Sequence, residues 1–212
     1  MEDTDLAVRL DAAEAVVRHE FTQFDRVENE GGRAACQDNW PTFRAQRLSQ
    51  FLTWPGPLLA SYAADLRAAD VAGRNLLTEK YARMMESTEP ERYYSDLAPY
   101  LPALTADRMA LQERIIATQV RWADAFHVRY PRLGEGMRLL RTAQDTVTDT
   151  SFETYLRGEL SSYSDQTVAL YGEMIDAMAA RRENLTELTV TLTVRLSGFA
   201  GLEDAEAAQA SG

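Results

Sequence analysis

The chain has 212 residues, 45% hydrophobic and 26% charged, enough to bury a sizeable core as one domain or two tightly joined halves. Its 33 acidic against 22 basic side chains give a formal charge of −11, which repels a phosphate backbone and argues against nucleic acid as a partner. The acidic opening "MEDTDLAVRL" lacks the basic start and apolar run of a secretory signal, and no apolar stretch reaches membrane-spanning length. The one cysteine, Cys36, makes neither an internal disulfide nor a paired-cysteine zinc site, so a cytoplasmic protein away from membranes is expected.

The first segment starts at the cap candidates Asp3 and Thr4 and sets Leu6, Leu10, Ala13, Val17, Phe21 and Phe24 at helical spacings. It breaks at Gly31-Gly32. Asn39 as cap and Pro41 in the first turn predict a short helix near 40–53, stopped by "WPGP". From Pro57 to Thr88 the pattern reads as two helices, or one long helix containing Gly73, ended by Pro90. Residues 90–104, with Pro90, Pro99 and Pro102, are expected to be an irregular connection.

Thr105 caps a helix whose stripe is Met109, Ile116, Val120, Ala123 and Phe126, terminated at Pro131. A shorter helix near 132–144 follows. Thr150 and Glu153 have capping-box spacing and open the strongest helical pattern, Phe152, Leu156, Leu160, Tyr163, Thr167, Leu170, Met174 and Met178, which predicts the longest helix near 151–180. Residues 185–196, "LTELTVTLTVRL", alternate as a strand would. A lone strand has no partner here, and Leu185, Leu188, Leu192, Leu196 and Phe199 also fit a helix, so a helix is assigned. The small, polar tail from Glu203 is expected to fray. The fold expected is all-α, a single compact domain of about seven or eight helices over residues 1–202, with a flexible tail at 203–212.

Three clusters are more polar than their helices require. In "ENEGGRAACQD" paired glycines permit close ligand approach beside Glu30, Arg33, Cys36 and Gln37. In "TEKYARMME" the residues Glu79, Arg83 and Glu86 share one helix face, with Leu77, Tyr81, Met84 and Met85 toward another. In "FETYLRGELSSYS" Glu153 and Arg157, and then Glu159 and Tyr163, stand at i, i+4, with Gly158 a close helix contact. Read blandly, each is a solvated face. Lys80 is the single lysine in the chain. Its helical neighbours Leu76, Leu77, Arg83 and Met84 are mostly apolar.

These residues also carry a resemblance. "FDRVENEGGRAACQDNWPTFRAQRLSQFLTW", "GRNLLTEKYARMMEST" and "TSFETYLRGELSSYS" resemble the signature blocks of a bacterial family catalogued as domain of unknown function 4125, over roughly residues 20–175. The resemblance implies no activity. It does place all three polar clusters inside signature blocks, which favours one shared site over three unrelated surfaces.

The expectation that follows is an enzyme or binding protein for a small polar or charged molecule. Arg33, Arg83 and Arg157 would converge and hold a carboxylate or phosphate, with Gln37 and Tyr155 as further binding side chains. Glu30, Glu79 and Glu153 would hold an amine or act as acid and base. Lys80, desolvated beside the arginines, would act as nucleophile or base, which Arg does not. Cys36 is either a small buried hydrophobe or a reactive thiol. The sequence names no cofactor.

Two alternatives belong to other classes. A helical module that binds a partner protein is suggested by the acidic charge and the aromatic "RYYSDLAPYLP". A carboxylate-histidine metal-dependent oxidase would need Glu-x-x-His pairs on two helices, and the chain offers only Asp124-x-x-His127, so no metal ligands are assigned.

Overall fold

The computed structural model describes residues 2–28 and 32–211, with side chains described at 7–28 and 32–210. Every regular element among the described residues is helical. In chain order the α-helices are α1 (Glu2–Asp25), α2 (Trp40–Phe51), α3 (Gly56–Val71), α4 (Leu76–Thr88), α5 (Pro90–Arg92), α6 (Ala106–Arg129), α7 (Pro131–Glu135), α8 (Phe152–Ser162), α9 (Asp165–Ala180), α10 (Leu185–Leu196) and α11 (Leu202–Ala208). Eleven α-helices among the described residues, rather than about seven or eight, follow because several expected long segments are interrupted. The cap candidates Asp3 and Thr4 carry side chains outside the described residues.

The interruptions have local causes. Gly73 takes a φ of +68°, open to glycine without strain, and the Asn75 side chain accepts from the Leu77 and Thr78 amides, so α3 ends and α4 restarts. The expected longest helix is two helices, α8 and α9. Tyr163 is extended, and the Ser164 hydroxyl caps α9 by accepting from the Thr167 amide. Buried Arg108 covers the end of α8, donating to the carbonyls of Leu160 (2.7 Å) and Tyr163 (2.9 Å) and pairing with Asp165. The longest helices are instead α1 and α6, of 24 residues each.

Other boundaries move as well. Ser151, one residue after Thr150, caps α8 by accepting from Thr154. The helix expected near 132–144 is only the five-residue α7, followed by a loop with one tight turn at Thr142–Gln144. Segment 185–196 is helix α10. The polar tail does not simply trail away. It forms α11, which buries Leu202 and Ala205 against Phe126, Tyr130 and Val194, while Glu206 accepts from the Arg132 and Leu133 amides at the start of α7.

The main core lies among α1, α2, α3, α4, α6, α8 and α9, around an aromatic cluster in which Trp54 meets Phe51, Tyr62, Tyr163 and Tyr171 mostly edge to face. The inner face of α1 is less apolar than its pattern suggests: Leu10 is exposed, while Glu20 and Gln23 are buried beside Val17 and Phe24. Helices α4 and α8 cross closely at Gly158, and that crossing builds the site.

Candidate functional site

Five helices and the residue after α8 supply one buried charge network. Arg47 of α2 donates from Nε and Nη2 to both oxygens of Glu20 on α1, each at 2.6 Å. Its Nη1 reaches Glu159 of α8 at 3.1 Å and the Gln50 side-chain oxygen at 2.5 Å. Lys80 of α4, 3% exposed, donates from Nζ to Glu159 Oε2 at 2.7 Å. Two phenols complete the set, Tyr62 of α3 donating to Glu20 at 2.7 Å and Tyr163 to Glu159 at 2.6 Å. Two carboxylates thus face two cations inside the core, and each oxygen has a donor, the condition under which buried charge is tolerated.

Burial alone would push the Glu159 carboxyl up. The Arg47 and Lys80 charges, with hydrogen bonds from Lys80 and Tyr163, instead hold it well below the ordinary carboxylate range. Burial and the adjoining carboxylates push the Tyr62 and Tyr163 phenols well up, so both remain donors.

The network forms the wall of a cavity. A space of about 150 Å³ is lined by Lys80, Arg47 and Glu20 on one side and by Phe24, Phe43, Leu77 and Tyr81 on another, with Cys36, Arg138 and Tyr155 also bordering it. A second cavity of about 310 Å³ borders Gln50, Glu159 and Gln119 and shares Gln46, Arg47, Arg138 and Tyr155 with the first. Tyr155 is central to both: the Lys80 ammonium lies 3.7 Å and the Arg138 guanidinium carbon 4.5 Å from its ring centroid. The neighbouring Tyr81 phenol is pushed up by burial, with Tyr155 and Cys36 adding to the shift. Arg138, on the loop after α7, is exposed and makes one hydrogen bond among the described residues, to the Thr150 carbonyl at 3.3 Å. It has no carboxylate partner among the described residues.

Of the residues singled out in the sequence, Lys80, Tyr155 and Cys36 border this cavity. The surround of Lys80 differs from the arginine-rich one expected, because its ammonium meets a carboxylate. Arg83 and Arg157 line a different cavity of about 560 Å³ beside residues 98–104. There Arg157 grips Glu113 with two hydrogen bonds, at 2.7 and 2.9 Å, and Arg83 donates to the Pro102 carbonyl. Arg33 borders neither cavity. It pairs with Asp25 and Asp38 on the surface.

Glu79 is held by Arg74 through two bonds of 2.7 Å. Gln37 is a buried brace, donating to the carbonyls of Phe24 and Val27 and accepting from the Ala34 amide. Glu153 caps the turn at Thr142 and contacts Arg157. Glu30 lies outside the described residues. No group of three or more His, Cys, Asp or Glu side chains with metal-holding geometry occurs among the described residues; Asp124, His127 and Glu135 border one surface cavity without forming such a group.

The sequence reading did not select Arg47, Glu20, Gln50, Tyr62 or Arg138. A signal existed for Glu20, a charged residue in phase with the apolar residues Ala13, Val17 and Phe24. None marked Arg138, which depends on how the 136–151 loop returns over Tyr155.

Fold and site together define an all-helical domain with a neutralised ion network, in which each carboxylate oxygen has a donor, opening onto a small polar-aromatic cavity. The profile of the family described as "Protein of unknown function (DUF4125)" matches residues 11–207, and the chain belongs to that family. No curated protein and no solved structure matches it.

Proposed function

We propose that the chain binds a small organic anion, a carboxylate on a planar or apolar body, in the cavity beside Lys80 and Tyr155. The observation that carries this reading is Arg138. Among the cations bordering the cavity, Arg47 is compensated by Glu20 and Glu159, and Lys80 by Glu159, whereas Arg138 has no acidic partner among the described residues and sits where the two cavities meet. A guanidinium held over an aromatic ring keeps its N–H edge free for a carboxylate. Phe24, Phe43 and Tyr81 offer an apolar surface for the rest of the ligand. Lys80 then fixes the wall: its charge holds Glu159 and packs on Tyr155, and Tyr155 positions Arg138.

The test is calorimetric titration with benzoate, using benzylamine as the cation of similar shape. Benzoate is expected to bind saturably and to raise the melting temperature, and Arg138→Ala is expected to weaken binding at least about tenfold, the loss of one charge-assisted contact. Equal binding of benzylamine, or unchanged benzoate affinity in Arg138→Ala, would contradict the reading.

The partner-binding alternative keeps one specific support, the exposed rings of Tyr94 and Tyr100 in the segment after α5. A Tyr94→Ser/Tyr100→Ser double variant separates the two readings, because benzoate binding should be unaffected by it.

A further inference from the structure

A third cavity, of about 470 Å³, lies apart from the charge network, between α1 and α3. The two helices run side by side in the same direction: Arg9 donates to the Leu52 carbonyl just before α3 (3.1 Å), and His19 meets Asp70 near its end (2.6 Å). The groove between them therefore extends for roughly 15 Å, the rise of α1 from Arg9 to His19. Its walls are small and aliphatic, with Ala12 and Ala15 facing Leu59, Ala60 and Ala63.

The charge of the lining points to an occupant. In a chain of formal charge −11, no Asp or Glu is among the described residues lining this groove, whereas Arg9 and Arg67 are, and Trp54 borders it.

We propose that this groove is a second binding site, for a single-chain aliphatic carboxylate. Its head group pairs with Arg9, and its alkyl chain runs along the alanine track toward Arg67. The apolar walls exclude a strongly polar ligand, and the cationic ends discriminate against a cationic amphiphile. The site is independent of the Arg138 cavity.

The experiment is titration of the full chain with decanoate below its micelle concentration, followed by calorimetry and by the indole N–H resonances of the three tryptophans, Trp54 being assigned through Trp54→Phe. One equivalent of decanoate should bind and shift the indole N–H resonance of Trp54, which borders the groove. Decanol, and decanoate with Arg9→Gln, should each bind at least about tenfold more weakly. Ala60→Trp, which fills the groove from an exposed position, should abolish binding, and Arg138→Ala should leave it unchanged. The proposal is overturned by absence of saturable decanoate binding, by equal affinity for decanol, by retained binding in Ala60→Trp, or by a wild-type dimer that Ala60→Trp dissociates, which would make a second copy the occupant.

Discussion

Gly158 and Lys80 meet backbone to backbone: a methyl group on Gly158 would lie 2.8 Å from the Lys80 carbonyl oxygen and 2.9 Å from Met84 Cγ. That approach brings α4 close enough to α8 for the Lys80 ammonium to reach Glu159, the residue next to Gly158. The glycine, the lysine and the glutamate act as one structural unit.

Gly158→Ala is therefore expected to destabilise the protein by about 1–3 kcal/mol, because overpacking against a helix backbone outweighs the helix propensity that alanine gains. Gly172 is the control. A Cβ there meets the flexible end of Leu111 at 3.3 Å, so Gly172→Ala should be near neutral or slightly stabilising. Urea midpoints of the two variants distinguish the positions.

Lys80→Met leaves the Glu159 carboxylate buried with one cation fewer, and a loss of about 3–5 kcal/mol is expected. In the Lys80→Met/Glu159→Gln double variant the second change removes the charge left uncompensated by the first. Its loss should fall short of the sum of the single losses by at least about 1 kcal/mol, as for residues in one network. Additive losses would mean that the two residues do not interact in solution.

The same pair sets an acid response. Because the folded Glu159 carboxyl lies below its unfolded value, its contribution is fully present above the unfolded value and is lost as the pH falls toward the folded one. Stability should decline from about pH 5 downward, and Glu159→Gln should decline less steeply over that range. Denaturant midpoints across the acid range measure both slopes.

Ser164→Ala removes the side-chain cap of α9 and should cost about 1 kcal/mol. Thr150→Ala is expected to be close to neutral, since Ser151 caps α8. Thermal melts of the two variants check the assignment of both caps.

Helical class, most start signals and much of the core phase were readable from the residues. Leu156, Leu160, Tyr163, Thr167, Met174 and Met178 are all buried as their spacing predicts, although the helix breaks between α8 and α9. The break carries little local signal because its causes are partly remote: Arg108 on α6 covers the carbonyls at the end of α8, and Asp65 on α3 accepts from the Ser164 amide. Lys80 was legible as an oddity, a lone lysine among arginines on a mostly apolar face. Its partner was not, because Glu159 is 79 residues away and meets it only through the Gly158 crossing. Charged residues such as Arg33 and Glu79, conspicuous in the sequence, are instead neutralised locally by Asp38 and Arg74. Sequence shows which residues carry charge, whereas pairing depends on helix placement.

Because Lys80 is the single lysine, 15N-lysine labelling gives one side-chain ammonium resonance, a reporter on the wall of the proposed anion cavity. In the free protein that resonance should show protons protected from exchange with water, as expected for a buried ammonium bonded to Glu159. Adding benzoate should shift it along a saturable curve, and Arg138→Ala should remove the shift while leaving the protected resonance in place. A Lys80 signal that exchanges freely with solvent, or one that stays fixed at saturating benzoate, would contradict the assignment of this cavity as an anion-binding site.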